Sequence, residues 1–248
     1  MWADIIDLHE FYESDLGQVA RHMVRRGIRK LWPDVKGKTV LGVGYATPYL
    51  RHYRSEADRV LAFMPAPQGV MAWPDEGPNA AALVEENALP LPDASVDRVL
   101  LVHGLESSQA QRGLLEEIWR VMAGDGRLLV VAPNRRGVWA RSDRSPFGLG
   151  HPFSQNELSR LLRHHGFTPT ARERALFVPP LRSRTLLHSA AAWERIGAQW
   201  CPRFSGIVLA EAGKQIWAVN ARRAEETRRP FAAKMPQAVP TPRSEVTD

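Results

Sequence analysis

The stretch TVLGVGYATPYL, residues 39–50, decides the fold class of this chain. Its first half is a short apolar run rich in β-branched residues that contains Gly42 and ends at Gly44, and Pro48 follows four residues later. An apolar run of this kind favours a strand buried on both faces of a sheet. Proline is well tolerated in the first turn of a helix. The stretch therefore predicts a strand, a glycine turn and a helix start.

The same strand pattern recurs along the chain and alternates with helical patterns. The predicted strands are Lys38–Val43, Arg59–Phe63, Ala80–Glu85, Val96–His103, Arg127–Ala132, Ala171–Val178 and Gly206–Val219, with a break near Gly213 left open. The predicted helices between them are Pro48–Ser55, Gln109–Met122, Glu157–His165 and Arg184–Gln199, and the segment SQNE (154–157) is typical of a capping box. This alternation predicts an α/β fold with a doubly wound, mostly parallel sheet.

Three regions divide the chain by composition and periodicity. Residues 1–37 carry apolar side chains at helical spacing and predict one or two helices. Residues 38–221 contain the predicted strands and form the α/β domain. Residues 222–248 are rich in proline and charge, which predicts a disordered tail. The tail is a candidate docking segment for a protein partner.

Charge and cysteine content narrow the class of protein. The net charge is +6, but the positive charge is mostly arginine scattered along the chain, so nucleic acid is a less favoured partner that stays open. The single cysteine, Cys201, excludes an intramolecular disulfide, and the histidine spacing does not suggest a metal site. No segment is long and apolar enough to span a membrane, and the first residues lack the pattern of a signal peptide, so we expect a cytoplasmic protein.

A glycine turn at the carboxyl end of a buried strand is a common ligand site, because glycine lets the backbone approach a ligand closely. A dinucleotide would require a third glycine or alanine where the chain has Thr47. It would also use helix amide groups, and Pro48 has none to donate. The dinucleotide interpretation is therefore weak, and it is nearly excluded because Met64 also stands where a carboxylate would hold the ribose hydroxyls.

Three further segments point to a second ligand class. They are LPLPDASVDRVLLVHGLE (89–106), IWRVMAGDGRLLVVAPN (118–134) and HPFSQNELSRLLRHHGF (151–167). In this order they resemble a fourth strand, the helix and fifth strand, and the next helix of class I S-adenosylmethionine-dependent methyltransferases, of the small-molecule, type 11-like branch. The resemblance covers residues 38–166 and implies a Rossmann-like sheet of seven strands. It also implies methyl transfer from S-adenosylmethionine to a small-molecule or lipid-like acceptor.

The resemblance also implies which residues would contact the cofactor. These are the turn residues Gly42, Val43, Gly44, Tyr45 and Ala46, the ribose position Met64, the adenine neighbours Glu86 and Asn87, and His103 with Gly104 at the methionine end. His103 is also a candidate general base, because an imidazole can accept a proton near neutral pH. The alternative for His103 is a wall residue hydrogen-bonded to the backbone.

The chain departs from the family pattern at the cofactor loop. The family usually shows an acidic residue and then three glycines, whereas the matching positions here are Gly42, Gly44, Ala46 and Pro48. A carboxylate normally holds the ribose hydroxyls at the position of Met64. These departures weaken the site, so Met64→Asp is expected to tighten it if the protein binds the cofactor. They also leave open a catalytically silent binding or regulatory module.

The loop after the fifth predicted strand supplies candidate substrate contacts. Arg135 and Arg136 could hold an anionic group, because the guanidinium fork matches carboxylate and phosphate. Trp139 could contact an aromatic substrate. The alternative is a solvated loop in which Trp139 only packs as a lid.

Overall fold

A computed structural model of the protein describes residues 4–142, 145–180 and 189–215. Two N-terminal helices precede a succession of strands and helices. The helices are α1 (Ile5–Glu13), α2 (Asp15–Leu31), α3 (Thr47–Leu50), α4 (Gln111–Val121), α5 (Gln155–His164) and α6 (Ala190–Trp200). The strands are β1 (Thr39–Gly44), β2 (Arg59–Pro65), β3 (Ala81–Val84), β4 (Val96–Val102), β5 (Met122–Pro133), β6 (Phe167–Ala175) and β7 (Ile207–Lys214). The predicted alternation of strands and helices is confirmed.

The seven strands form one sheet in the order β3-β2-β1-β4-β5-β7-β6. Strands β1 to β5 pair in parallel, and β7 runs antiparallel to both β5 and β6. The strand order reverses between β1 and β4, which both end at the same edge of the sheet. In open parallel sheets, this reversal leaves a crevice outside the carboxyl ends of the strands. The topology therefore places the expected ligand crevice at the residues that follow β1 and β4.

The sheet is buried on both faces, which explains why its strands are continuously apolar. Val40 and Leu100 point into a core shared with α1, α2 and α3. Leu41 and Leu101 point to the opposite face, into a core shared with α4 and α5. Successive side chains of a strand alternate between faces, so one apolar run supplies both cores.

The N-terminal segment forms two helices rather than one. The break lies at Ser14, whose hydroxyl accepts a hydrogen bond from the Gly17 amide at 3.1 Å and so caps α2. Leu8 and Tyr12 of α1 are buried, as is Val24 of α2. This segment therefore completes one of the two cores and covers the sheet near the end of β1.

The boundaries of several elements differ from those predicted. Helix α3 is a single turn followed by further turns, because β2 begins only nine residues after Leu50. Strand β5 begins at Met122, and residues 123–126 form an irregularity before regular pairing resumes at Arg127. Strand β7 ends at Lys214, just beyond the predicted break. The predicted tail and the first part of the helix predicted from Arg184 lie outside the described residues.

The predicted capping box at α5 is confirmed. The Ser154 hydroxyl accepts from the Glu157 amide at 3.2 Å, and the Glu157 carboxylate accepts from the Ser154 amide at 3.3 Å. Removing an N-cap hydroxyl costs about 1 kcal/mol. Ser154→Ala is therefore expected to lower the free energy of unfolding by about 1 kcal/mol, as measured by urea denaturation. Ser95→Ala, which removes a loop hydroxyl outside any helix, is the control and is expected to cost less.

Candidate functional site

The turn after β1 is pressed against the end of β4. Gly44 has a backbone φ of 77°, and a Cβ added there would lie 2.2 Å from the Val102 carbonyl oxygen and 3.1 Å from the Gly104 amide nitrogen. Only glycine combines this left-handed conformation with so close an approach. Gly44 and Gly104 therefore bring the two strand ends of the crevice into direct contact.

Gly42 is a second crowded position in this turn. A Cβ there would lie 2.5 Å from Leu50 Cδ1 and 2.7 Å from the Ala46 Cβ. Leu50 belongs to α3, and Pro48 occupies the first turn of that helix. The side chain of Leu50 therefore fills the space that the expected acidic residue would require.

His103 follows β4 and connects this edge to the N-terminal helices. Its backbone is left-handed, with φ 51°, and its side chain is buried. The Nε2 atom lies 2.7 Å from the Tyr12 hydroxyl, which in turn lies 2.8 Å from the Tyr49 hydroxyl. A non-glycine residue held in this conformation is often found at a functional site. The loop thus places one imidazole at the end of a chain of two tyrosine hydroxyls.

Glu106 lies on the other side of the same imidazole. Its Oε1 atom is 3.3 Å from His103 Nδ1, within the range of an ion pair. Both carboxylate oxygens are buried, and neither has a hydrogen-bond donor with suitable geometry among the described residues. A buried polar atom without a partner costs about 1 to 3 kcal/mol, more when charged. The Glu106 carboxylate is therefore available to accept a hydrogen bond or to pair with a cation.

Burial reinforces the protonated form of the two tyrosines. It raises the pKa of Tyr12 well above its ordinary value, and the nearby Tyr49 adds to the effect. Burial also raises the pKa of Tyr49. Both hydroxyls are therefore protonated at neutral pH. Tyr49 can then donate to Tyr12, and Tyr12 to His103 Nε2, when the other imidazole nitrogen carries the proton that faces Glu106.

Gln68 reaches the same edge from β2. It ends a short 3-10 turn, Ala66–Gln68, and is buried. Its Nε2 atom donates to the His103 carbonyl oxygen at 3.0 Å, while its Oε1 atom is buried without a donor among the described residues. Because β1 lies between β2 and β4 in the sheet, the Gln68 side chain spans the carboxyl end of β1.

Aromatic side chains form a wall beside His103. The Phe147 ring lies 4.9 Å from the imidazole, and the Trp139 ring lies 5.6 Å from Phe147 in an edge-to-face arrangement. Phe11 of α1 contacts both of these aromatic rings. The Trp139 indole donates to the Val178 carbonyl oxygen at 2.7 Å, which fixes its position. The wall is therefore a buried, closely packed group of rings.

Comparison with known proteins agrees with this architecture. The methyltransferase domain family model matches residues 40–130. A protein of Mycobacterium tuberculosis named "Probable S-adenosylmethionine-dependent methyltransferase" is 33% identical over 181 residues, which cover 70% of this chain. The chain belongs to the class I S-adenosylmethionine-dependent methyltransferase family. It spans 59% of the length of that mycobacterial relative.

Solved structures share the fold of this methyltransferase family member at low sequence identity. A protein of Haloferax volcanii, solved in complex with the Trm112 methyltransferase activator, has a TM-score of 0.62 and 16% identity, covering 87% of this chain and 100% of its own. A methyltransferase of Thermotoga maritima has a TM-score of 0.59 and 16% identity, covering 85% and 96%. At these identities the likeness establishes the fold alone.

The predicted cofactor residues of this methyltransferase family member lie at different depths. Val43, Tyr45 and Ala46 are buried in the turn beside Gly44 and Gly104, next to His103. Met64 is completely buried, and its sulfur accepts from the Met71 amide at 3.4 Å. Asn87 lies against Gly113 of α4, and Glu86 has one buried carboxylate oxygen without a partner among the described residues.

The structure separates the three predicted substrate residues. Trp139 belongs to the aromatic wall near His103. Arg135 forms a salt bridge with Glu157, with an Nη2 to Oε1 distance of 2.8 Å. Arg136 is exposed and has no carboxylate partner among the described residues. The packing role considered for Trp139 is therefore present, and only Arg136 offers an unpaired guanidinium.

Four residues at this edge were not among the predicted site residues. Tyr12, Gln68 and Glu106 contact His103 or its backbone, and Tyr49 contacts the hydroxyl of Tyr12. Glu106 is three residues beyond His103, a spacing that could have suggested the pair. Tyr12 is 91 residues from His103 in the chain, and local sequence carries no signal for their contact.

The described residues contain neither a metal-binding group nor a membrane-spanning helix. Among them, no group of three or more histidine, cysteine, aspartate or glutamate side chains is placed to hold a metal ion. Their helices include none that is long and apolar enough to cross a membrane.

Proposed function

We propose that this protein binds S-adenosylmethionine at the edge formed by the ends of β1 and β4 and transfers its methyl group to a small-molecule or lipid-like acceptor. The observation that carries the proposal is a pair of buried acceptors at this edge, Gln68 Oε1 and the Glu106 carboxylate, for which the described residues supply no hydrogen-bond donor of suitable geometry. Family membership and the glycine contact between the two strand ends support it.

The residues present fit the donors that this cofactor carries. S-adenosylmethionine has an ammonium group, two ribose hydroxyls and a positively charged sulfur, and when bound it supplies an electrophilic methyl group. Gln68 Oε1 can accept from a hydroxyl or ammonium group, and Glu106 can offset positive charge. Pairing these acceptors removes the cost of leaving them unsatisfied in the interior. The turn Gly42–Ala46 presents backbone close to the same place.

His103 is the residue that we propose to accept a proton from the methyl acceptor. Its Nε2 atom lies 2.7 Å from the Tyr12 hydroxyl and would become free for this purpose if that hydroxyl moved away. Glu106 would then stabilise the charged imidazole that forms, as a carboxylate beside a general base does. The Phe147 ring on the imidazole excludes water from that side.

The test is calorimetric titration with S-adenosylmethionine and with its demethylated product. Binding of both is expected, and Gln68→Leu should weaken it about tenfold, because that variant removes a hydrogen-bond acceptor while keeping a buried side chain of similar volume. Gln18→Leu, which replaces an exposed glutamine on α2, is the matched control and should leave the affinity unchanged.

The same titration distinguishes the proposal from a catalytically silent binding module. A silent module requires that neither compound binds at millimolar concentration. Equal affinity of the parent protein and Gln68→Leu would instead show that the cofactor binds elsewhere. Docking of a protein partner through residues 222–248 stays a prediction, because that segment lies outside the described residues. A cytoplasmic location likewise stays a prediction.

A further inference from the structure

A cleft of about 460 Å³ lies where four elements meet. It lies at the end of β5, the start of α5, the end of β6 and the start of β7. Three arginines line it: Arg136, Arg174 and Arg203. The residues lining the cleft include no aspartate or glutamate. We call this surface the arginine cleft.

A single buried side chain builds the floor of the arginine cleft. Asn134 Nδ2 donates to the carbonyl oxygens of Arg203 and Ser205, at 3.0 and 2.8 Å. The Asn134 Oδ1 atom accepts from the Arg136 amide at 3.2 Å. Asn134 therefore fixes the backbone at two of the three arginines, which are 67 residues apart in the chain.

The third arginine is aimed at the start of α5. Arg174 Nη2 donates to Gln155 Oε1 at 2.7 Å. The amides of Gln155 and Asn156 are the first two of α5, and they have no acceptor among the described residues because the helix begins there. They add the positive end of the helix dipole to the charge of Arg174.

The three guanidinium groups lack carboxylate partners among the described residues. The neighbouring Arg135 shows the contrast, because Glu157 neutralises it outside the arginine cleft. Three unpaired positive charges and free helix amides match an anion that carries more than one negative charge. A single carboxylate would leave most of this charge unbalanced.

We propose that the arginine cleft binds a phosphate or diphosphate group. Guanidinium forks bind phosphate oxygens in a bidentate manner, and helix amides are common partners of phosphate. Resting on the proposed function, we assign this group to the methyl acceptor. The loop that carries Arg136 continues to Trp139, which packs on Phe147 beside His103. A phosphate held in the cleft would therefore anchor an acceptor whose other end reaches the proposed reaction centre.

A phosphate group could come from a soluble compound or from a lipid headgroup. The apolar side chains beside Arg203 support a lipid headgroup as the source. Trp200 at the end of α6 is 74% exposed and Phe204 is 58% exposed. Such aromatic side chains favour a membrane interface. Both sources share the phosphate chemistry, and the experiment separates them.

The first part of the test measures pyrophosphate binding to the full-length protein by calorimetric titration. The variants are Arg136→Gln and Arg174→Gln, and we expect each to weaken binding at least tenfold because each loses a charge-assisted contact. Arg163→Gln removes an exposed charge from the far end of α5 and is the control, with unchanged affinity expected. Thermal unfolding of all three variants confirms that they fold.

The second arm uses sedimentation with phosphatidylcholine vesicles that contain phosphatidic acid. Loss of vesicle binding in both cleft variants, with or without pyrophosphate binding, supports the proposal with a lipid source. Pyrophosphate binding alone, lost in the variants, supports it with a soluble source. The proposal is overturned if neither pyrophosphate nor the vesicles bind, or if the cleft variants bind them as well as the parent protein does.

Binding of single-stranded RNA through the arginine cleft without pyrophosphate binding also overturns the proposal, in favour of a nucleic-acid surface. The same preparation is titrated with S-adenosylmethionine. Cofactor binding without phosphate binding removes only this inference. Phosphate binding without cofactor binding removes the proposed function and the assignment of the phosphate to a methyl acceptor, and leaves the phosphate site itself in place.

Discussion

Gly44→Ala is expected to lower the free energy of unfolding by about 3 kcal/mol or more. Two costs combine at this position. The left-handed backbone, with φ 77°, costs an alanine about 1 kcal/mol. The added Cβ would also lie 2.2 Å from the Val102 carbonyl oxygen, which is backbone of β4 and cannot move without disturbing strand pairing. The variant must therefore separate β1 from β4 at the proposed cofactor edge.

Urea denaturation measures this loss, and Gly37→Ala provides a matched control. Gly37 has a similar φ of 70°, but an added Cβ there has no neighbouring atom within 4 Å. Gly37→Ala should therefore cost only the backbone term of about 1 kcal/mol. Equal losses in the two variants would contradict the close contact between the ends of β1 and β4. If Gly44→Ala still folds, its affinity for S-adenosylmethionine is expected to fall as well.

Met64→Asp is expected to destabilise the protein by about 3 kcal/mol or more, and not to tighten cofactor binding. The sequence alone favours the opposite result, because Met64 occupies the position of the ribose carboxylate. In the folded protein, however, Met64 is fully buried, and the Met71 amide is the donor that contacts it. A carboxylate there would lose its hydration without gaining an equivalent set of hydrogen bonds.

Thermal and urea denaturation test this expectation, with Leu83→Asp as the control. Leu83 is the register partner of Met64 on β3 and is 52% exposed. Leu83→Asp also replaces an apolar side chain with a carboxylate, but there the carboxylate stays in water. The free energy of unfolding should therefore fall by less than about 1 kcal/mol. Wild-type stability together with tighter binding in Met64→Asp would show that this position opens to the cofactor, as the sequence suggests.

The order of strands and helices could be predicted because it depends on local patterns. The predicted strand Val96–His103 matches β4 to within one residue, since an apolar run bounded by turn residues carries its own signal. The capping box at Ser154 was predictable for the same reason. The early start of β5 was not, because Met122 extends the strand by pairing with Val96 of β4. Strand ends depend on a partner that the local pattern does not contain.

The sequence by itself determined the glycine turn, the position of His103 at the end of β4, and the family to which these belong. Only the tertiary structure decided what surrounds them. It places Tyr12 on His103, Leu50 in the space of the missing acid, and Gln68 across the end of β1. It also gathers the arginine cleft from four elements. Most of these contacts join residues far apart in the chain, and side-chain packing in three dimensions selects them without leaving a periodic pattern in the sequence.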